Sequence, residues 1–128
     1  MLTIQKRVAV SAPPEKVYRL VDDARRLPEL FPHLVDVEDV HPLPLGGHRF
    51  HYHFDAGDRG LVGNIQTVEQ VRNRRLVDRA VGGLDATFRW EFKPHEGVTE
   101  VDLEVESDTL DEQEAEEALA HLKTIAEA

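Results

Sequence analysis

Residues Ala86 to Glu106 contain the pattern that decides the fold. They read Ala86-Thr-Phe-Arg-Trp-Glu-Phe-Lys93, then Pro94-His-Glu-Gly97, then Val98-Thr-Glu-Val-Asp-Leu-Glu-Val-Glu106. Both halves alternate apolar and polar residues, which is typical of strands with one buried and one exposed face. The Pro and Gly between them favour a hairpin turn. A four-residue turn there predicts these cross-strand pairs: Trp90 with Val101, Phe88 with Leu103, Ala86 with Val105, Arg89 with Asp102 and Glu91 with Glu100.

The segment before the hairpin begins with a strand and two short helices. Leu2, Ile4, Val8 and Val10 fall on one side of the first strand, and Lys6 on that side is expected at its rim. The run Ser11 to Glu15 predicts a helix start, with Ser11 as the N-cap and proline in the first turn. The apolar stripe of this first helix is Val17, Leu20 and Val21. The pair Asp22-Asp23 is expected to end that helix and to cap a second one. The second helix is predicted from Leu27 to Phe31 and is stopped by Pro32.

The middle of the chain predicts an antiparallel meander. In His48 to Phe54 the aromatic residues Phe50, Tyr52 and Phe54 fall on one face. The apolar period shifts within the next strand, Leu61 to Val71, which predicts a β-bulge.

The chain ends in a pattern typical of an amphipathic helix. Asp111 followed by Glu114 fits a capping box. One apolar stripe runs through Ala115, Ala118, Leu119, Leu122, Ile125 and Ala126. A sheet of this size needs cover on one face, and only this helix is long enough to lie across it. The sequence therefore predicts an α+β domain with a curved antiparallel sheet of about seven strands around a C-terminal helix.

Composition excludes several classes of function. The 128 residues include no cysteine, so disulfides and thiolate chemistry are excluded. A formal charge of −10 argues against nucleic acid and against anionic membrane surfaces as partners. No apolar run approaches the roughly 20 residues of a membrane-spanning helix. We expect a cytoplasmic protein without membrane insertion, and either a monomer or a homodimer.

Two segments resemble the helix-grip superfamily, which includes START domains, polyketide cyclases and the coenzyme-Q-binding family. They are Val8 to Asp23 followed by Arg26 to Pro32, and Phe88 to Pro94 followed by Gly97 to Val101 and the last helix. The resemblance covers essentially the whole chain and implies a single domain over residues 1–128. It implies a cavity between the sheet and the C-terminal helix, which is shorter here than in most relatives and predicts an open or shallow cavity.

The resemblance also implies a set of ligand-binding residues without a cofactor. Aromatic residues on the concave face are equally consistent with plain core packing and with the lining of an apolar pocket. The predicted ligand-binding residues are Phe31, Phe50, Tyr52, Phe54, Arg79, Phe88, Trp90, Leu119 and Leu122.

One charge of the pair Asp78 and Arg79 is predicted to point inward. The turn from Gly82 to Asp85 is compatible with two registers, and either residue then shares a face with Phe88. An unpaired interior charge is expensive, so the inward residue either pairs internally or anchors a polar group of a ligand.

The histidines give weaker signals. His51 and His53 share one face of a strand, opposite the aromatic residues, and are expected to face solvent. No third ligand accompanies them, so no metal site is predicted. No nucleophile–base motif, phosphate-binding loop or dinucleotide fingerprint is present, and no catalytic residue is assigned.

Three functions remain open. The first is binding or transport of a small hydrophobic molecule such as a lipid, quinone or polyketide-like compound. The second is a polyketide cyclase or dehydratase that uses an interior Arg79, Asp78 or Tyr52. The third is a protein-interaction module. A roomy apolar cavity would favour the first, a cavity with paired acid and base groups the second, and a filled interior the third.

Overall fold

The computed structural model describes residues 2–128, which form seven strands and three helices. A 3-10 turn at Ala24–Arg26 lies between the first two helices. The strands are β1 (Leu2–Val10), β2 (Leu34–Pro42), β3 (His48–Asp55), β4 (Gly60–Val71), β5 (Arg75–Gly82), β6 (Ala86–His95) and β7 (Val98–Ser107). The helices are α1 (Pro14–Asp22), α2 (Leu27–Leu30) and α3 (Glu112–Ala126).

The strands form one antiparallel sheet in the order β1-β7-β6-β5-β4-β3-β2. The sheet is curved, and its inner face carries the buried apolar residues of every strand pair. Helix α3 lies against β1, β7 and the two short helices. This arrangement is the predicted helix-grip fold.

The central hairpin has the predicted faces but a different register. Trp90 pairs with Leu103, Phe88 with Val105 and Phe92 with Val101, a shift of two residues from the predicted pairing. The turn is tighter than predicted, because pairing continues to His95 and Val98 and leaves only Glu96 and Gly97 between them. Both turn residues have positive φ, 49° and 82°, which suits a two-residue hairpin turn. A shift of two keeps every side chain on its face.

The corrected register also replaces the predicted charge pairs on the outer face. Asp102 lies opposite Glu91 and accepts a hydrogen bond from Arg7 Nε at 2.6 Å, while Lys93 Nζ lies 3.0 Å from it. Burial alone would raise the pKa of Asp102, but these two cations lower it below its ordinary value. Arg89 lies opposite Glu104 and donates to its carboxylate at 2.9 Å.

Hydrogen bonds and buried contacts fix both the start of helix α3 and the face that it packs against the sheet. Asp111 accepts a hydrogen bond from Glu114 N–H at 3.1 Å, so the N-cap is present, but the Glu114 carboxylate contacts His33 and does not complete the predicted capping box. Lys6 lies at the rim of the inner face, 3.1 Å from the Glu116 carboxylate. His121 Nδ1 lies 3.1 Å from the Leu30 carbonyl oxygen and connects α3 to α2. The stripe that includes Leu119 and Leu122 is buried.

The first helix starts differently from the prediction. Pro13 is its N-cap and makes no side-chain cap bond, while Ser11 N–H donates to the Glu127 carboxylate at 2.8 Å. The predicted cap of the second helix is displaced: Asp23 accepts from Arg25 N–H at 3.2 Å and caps the 3-10 turn, while Arg26 is the N-cap of α2 and makes no side-chain cap bond. The β-bulge predicted in β4 lies between Thr67 and Glu69.

In the described part of the chain, no helix has the length and apolar character needed to span a membrane.

Candidate functional site

The candidate site begins with a carboxylate on the inner face of β5. Asp78 pairs with Phe88, which places its side chain on the inner face, and only 7% of the residue is exposed. Arg79 therefore lies on the outer face, where it donates to the carbonyl oxygens of Ala80 and Ala86, both at 2.8 Å, and pairs with Asp85. The structure has that one of the two possible registers in which Asp78 faces inward. The inclusion of Arg79 among the inward-facing ligand-binding residues is therefore wrong.

Two polar groups on neighbouring strands surround Asp78. Thr67 Oγ1 donates a hydrogen bond to Asp78 Oδ1 at 2.8 Å and accepts one from His48 N–H at 3.1 Å. Burial raises the pKa of Asp78 to about 6, although the hydrogen bond from Thr67 acts in the opposite direction. The Asp78 carboxyl group therefore loses its proton at about pH 6, instead of near pH 4 as an exposed aspartate does.

Helix α1 adds two buried oxygen atoms that have no hydrogen-bond partner. They are Tyr18 Oη and Asp22 Oδ1. His48 Nδ1 lies 3.6 Å from Asp22 Oδ1, which is too long for a hydrogen bond. Burial raises the pKa of both Asp22 and Tyr18. An unpaired buried polar atom costs about 1–3 kcal/mol, so Tyr18 Oη and Asp22 Oδ1 need a partner in the form of an ordered water or a ligand group.

These groups adjoin a small interior cavity between the first helices and the sheet. Its volume is about 10 Å³, which is about the space that one water molecule needs. Its lining is half polar: Val21, Asp22, Ala24, Leu27, His48, Phe50, Thr67, Leu76 and Asp78. Asp22 also lines a surface cleft of about 250 Å³ together with Tyr18, Gln70 and Arg72. The cleft therefore leads from solvent toward the buried carboxylates.

The loop between β2 and β3 closes one side of this cleft. A Cβ atom on Gly47 would lie 2.3 Å from Thr67 Cβ, and one on Gly46 would lie 1.9 Å from Gln70 Oε1. Both glycines also have positive φ, so residues with side chains are disfavoured there. The backbone of this loop can approach β4 closely only because these two positions are glycine.

The other predicted ligand-binding residues are all buried. Phe31 makes edge contacts with Phe88 and Trp90 at ring-centroid distances of 5.6 and 6.3 Å. Trp90 stacks on Phe92 at 6.4 Å, and the Tyr18 ring meets Phe92 edge-on at 5.4 Å. These rings fill the space between the short helices and the sheet. The buried set also includes Phe50, Tyr52, Phe54, Leu119 and Leu122.

The two buried tyrosines differ in how their hydroxyl groups are used. Tyr52 Oη donates to the Val81 carbonyl oxygen at 3.0 Å and accepts from Leu84 N–H at 2.7 Å, which ties the loop after β5 to the sheet. Tyr18 Oη has no backbone partner; burial raises the pKa of Tyr18, and the Gln70 side chain lies close enough to act in the opposite direction. The hydroxyl group of Tyr52 therefore has a structural role, whereas that of Tyr18 lies beside Gln70 at the cleft.

The histidines lie outside this site, apart from His48. His51 and His53 are on the outer face, opposite Glu38 and Asp36, beside a surface groove of about 470 Å³. Over residues 2–128, no group of three or more His, Asp or Glu side chains is arranged to hold a metal ion. His33 Nδ1 lies 2.5 Å from the Glu114 carboxylate, and this contact raises the pKa of His33.

Sequence reasoning found Asp78 as one of two alternatives but missed the groups around it. Thr67 could have been found from the sequence, because it is a polar residue two positions after Ile65 and therefore lies on the same inner face of the strand. Tyr18 and Asp22 lie one turn apart on α1, which places both on one face. Their proximity to β4 and β5 follows only from the folded arrangement.

Residues 1–127 match the protein family described as polyketide cyclase / dehydrase and lipid transport. The chain belongs to this family, which fits the helix-grip architecture. No curated protein matches the sequence.

Solved structures with the same fold come from several sources. A Deinococcus radiodurans protein is 20% identical with a TM-score of 0.79, and 98% of each chain is covered. A START superfamily protein from Mycobacterium smegmatis is 19% identical with a TM-score of 0.71, covering 98% of this chain and 94% of that one. The di-domain ARO/CYC StfQ from the steffimycin biosynthetic pathway is 20% identical with a TM-score of 0.77, covering 97% of this chain and 44% of that one. At these identities the likeness shows the fold alone.

Proposed function

We propose that this protein binds a small hydrophobic molecule inside the helix-grip fold, between α1 and the inner faces of β3, β4 and β5. The observation that carries the proposal is the cluster of buried Asp78, buried Tyr18 and half-buried Asp22 beside an interior cavity. Ligand sites combine apolar walls with a few polar groups that orient the ligand. The family described as polyketide cyclase / dehydrase and lipid transport supports this reading.

Binding requires the wall of the site to move. The interior cavity of about 10 Å³ is too small for an organic ligand, whereas the adjoining cleft has about 250 Å³. Displacement of α1 or of the Leu43–Gly47 loop would join the two spaces. The loop is bound to itself by hydrogen bonds from Leu43 N–H to the Gly47 carbonyl oxygen and from Gly46 N–H to the Leu43 carbonyl oxygen. It is therefore suited to move as a unit.

In the open state the predicted aromatic residues would form the apolar wall. Phe50 and Leu76 already line the interior cavity, and Trp90 lies next to Leu76 across the sheet. Phe88 lies opposite Asp78 in the sheet and contacts Phe31, whereas Leu122 on α3 would contact only a long ligand. Tyr52 would contribute its ring rather than its hydroxyl group, which is already bonded.

A second candidate function is an enzyme of the cyclase or dehydratase type. The specific observation is the pKa of Asp78 near 6, because a carboxyl group that ionises near neutral pH can accept and return a proton. StfQ is described as an ARO/CYC, which is consistent with such chemistry in this fold. Asp78 would be the acid–base group, and Tyr18 would polarise a carbonyl group.

The packed interior is what a protein-interaction module would show. That hypothesis gives no role to the buried Asp78 carboxyl group, which is why ligand binding is preferred.

Trp90 provides the test of ligand binding. Only 1% of it is exposed, so its emission should be blue-shifted. Menadione, a naphthoquinone, should quench this emission saturably. Burial of about 300 Å² of apolar surface supplies about 7 kcal/mol, or a dissociation constant of about 10 μM. Free N-acetyltryptophanamide corrects for collisional quenching and light absorption. If quinones, lipids and polyphenols all leave the emission of the folded protein unchanged, ligand binding is ruled out and the interaction module is favoured.

A further inference from the structure

The polar end of the site carries an unusual set of charges for a protein that binds hydrophobic molecules. Two carboxyl groups, Asp22 and Asp78, line the interior cavity, and one histidine accompanies them. No lysine or arginine in the part of the chain that the structure describes lines that cavity, and Arg19 and Arg72 line only the adjoining outer cleft. A ligand carboxylate or phosphate placed there would meet two like charges with little water to screen them.

The hydrogen-bonding groups of the site also disfavour a ligand carboxylate or phosphate. Thr67 Oγ1 already uses its hydrogen for Asp78 and accepts from His48 N–H, so it offers no donor to a ligand. Asp22 Oδ1 is buried without any donor. Ionised carboxylates can only accept hydrogen bonds. Apart from the His48 ring, whose hydrogen-bonding role depends on its tautomer, the cavity lining offers a ligand acceptors and no free side-chain donor.

We propose that the ligand carries an uncharged hydrogen-bond donor, such as a phenolic or alcohol hydroxyl group, which enters between Asp22 and Asp78, and that the site rejects carboxylates. This inference rests on the proposed ligand binding and specifies which class of hydrophobic molecule is taken. Tyr18 Oη, buried and unpartnered beside the same opening, would accept or donate a further hydrogen bond to the hydroxyl group.

Three probes of nearly equal size separate the possibilities: 2-naphthol donates a hydrogen bond, 2-methoxynaphthalene only accepts, and 2-naphthoate carries a carboxylate. Calorimetric titration at pH 7.5 should give 2-naphthol at least about tenfold higher affinity than either of the others, because one buried hydrogen bond is worth about that factor.

Asp78→Asn removes one negative charge without changing size and should reduce the preference for naphthol over naphthoate by about tenfold. Asp22→Asn should act in the same direction, and it provides the test if the first variant does not fold.

Asp58→Asn is the matched control, since it removes the same charge from an exposed turn and should leave all three affinities unchanged. Equal affinity for the three probes, or preference for 2-naphthoate, would overturn the inference while leaving ligand binding in place. A preference for 2-naphthol over 2-naphthoate that is the same in Asp78→Asn, in Asp22→Asn and in the wild type would also overturn the inference. If no probe binds and menadione fails to quench Trp90, the proposed function fails as well.

Discussion

Truncation of Leu122 to alanine is expected to lower the free energy of unfolding by about 2–5 kcal/mol. Leu122 is completely buried on the face of α3 that lies against the sheet and the two short helices. Its removal leaves a cavity that the surrounding residues can only partly close, because Lys123 Nζ ties α3 to the Ala9 carbonyl oxygen and His121 lies against the Leu30 carbonyl oxygen. Urea denaturation followed by circular dichroism measures the change.

Leu45→Ala is the matched control for this experiment. The same atoms are removed, but Leu45 is 95% exposed at the tip of the loop between β2 and β3, so stability should not change. A Leu122→Ala variant as stable as the Leu45→Ala variant would show that α3 does not contribute to the core. The helix-grip architecture would then be incorrect in this part of the chain.

Replacement of Asp78 by asparagine is expected to stabilise the protein at pH 8 by up to about 3 kcal/mol, which is the free energy that corresponds to a pKa raised from 3.8 to about 6. The folded state binds a proton on Asp78 more tightly than the unfolded state does. Stability from this group is therefore greatest below pH 4 and is lost as the pH rises through about 6. Asparagine has the same shape, can accept the hydrogen bond from Thr67 and does not ionise.

The measurement is the difference in unfolding free energy between the variant and the wild type from pH 4 to pH 8. This difference should be near zero at pH 4 and should grow until the pH exceeds 6. Taking the difference removes the contribution of Asp102, whose lowered pKa makes the protein lose stability as the pH falls. A difference that does not vary with pH would mean that Asp78 is solvated in the folded protein.

The faces of the central hairpin could be predicted from sequence, whereas its register could not. Alternation places Phe88 and Trp90 on one face in any register that shifts by two residues. The choice between such registers depends on the turn, where Glu96 adopts a positive φ that non-glycine residues rarely take. The pattern around Pro94 and Gly97 favoured a longer loop than the one observed.

The polar site was less predictable because it is assembled from distant parts of the chain. Asp78 and Arg79 alternate on one strand, so only the pairing of β5 with β6 decides which of them faces inward. Tyr18 and Asp22 reach Asp78 through the packing of α1, a tertiary contact with no periodic signal. Whether the aromatic residues leave a cavity depends on ring orientations such as those of Phe31 and Trp90, which a sequence pattern does not specify.

Mapping of the ligand position by amide ¹H–¹⁵N chemical shifts tests the central claim most directly. With 2-naphthol added to the labelled protein, binding inside the fold predicts the largest shift changes at Thr67, Leu76, Asp78 and the Trp90 indole N–H. These groups lie at or beside the interior cavity. Changes confined to the outer-face groove beside His51 and His53, or no changes at all, would contradict binding inside the fold.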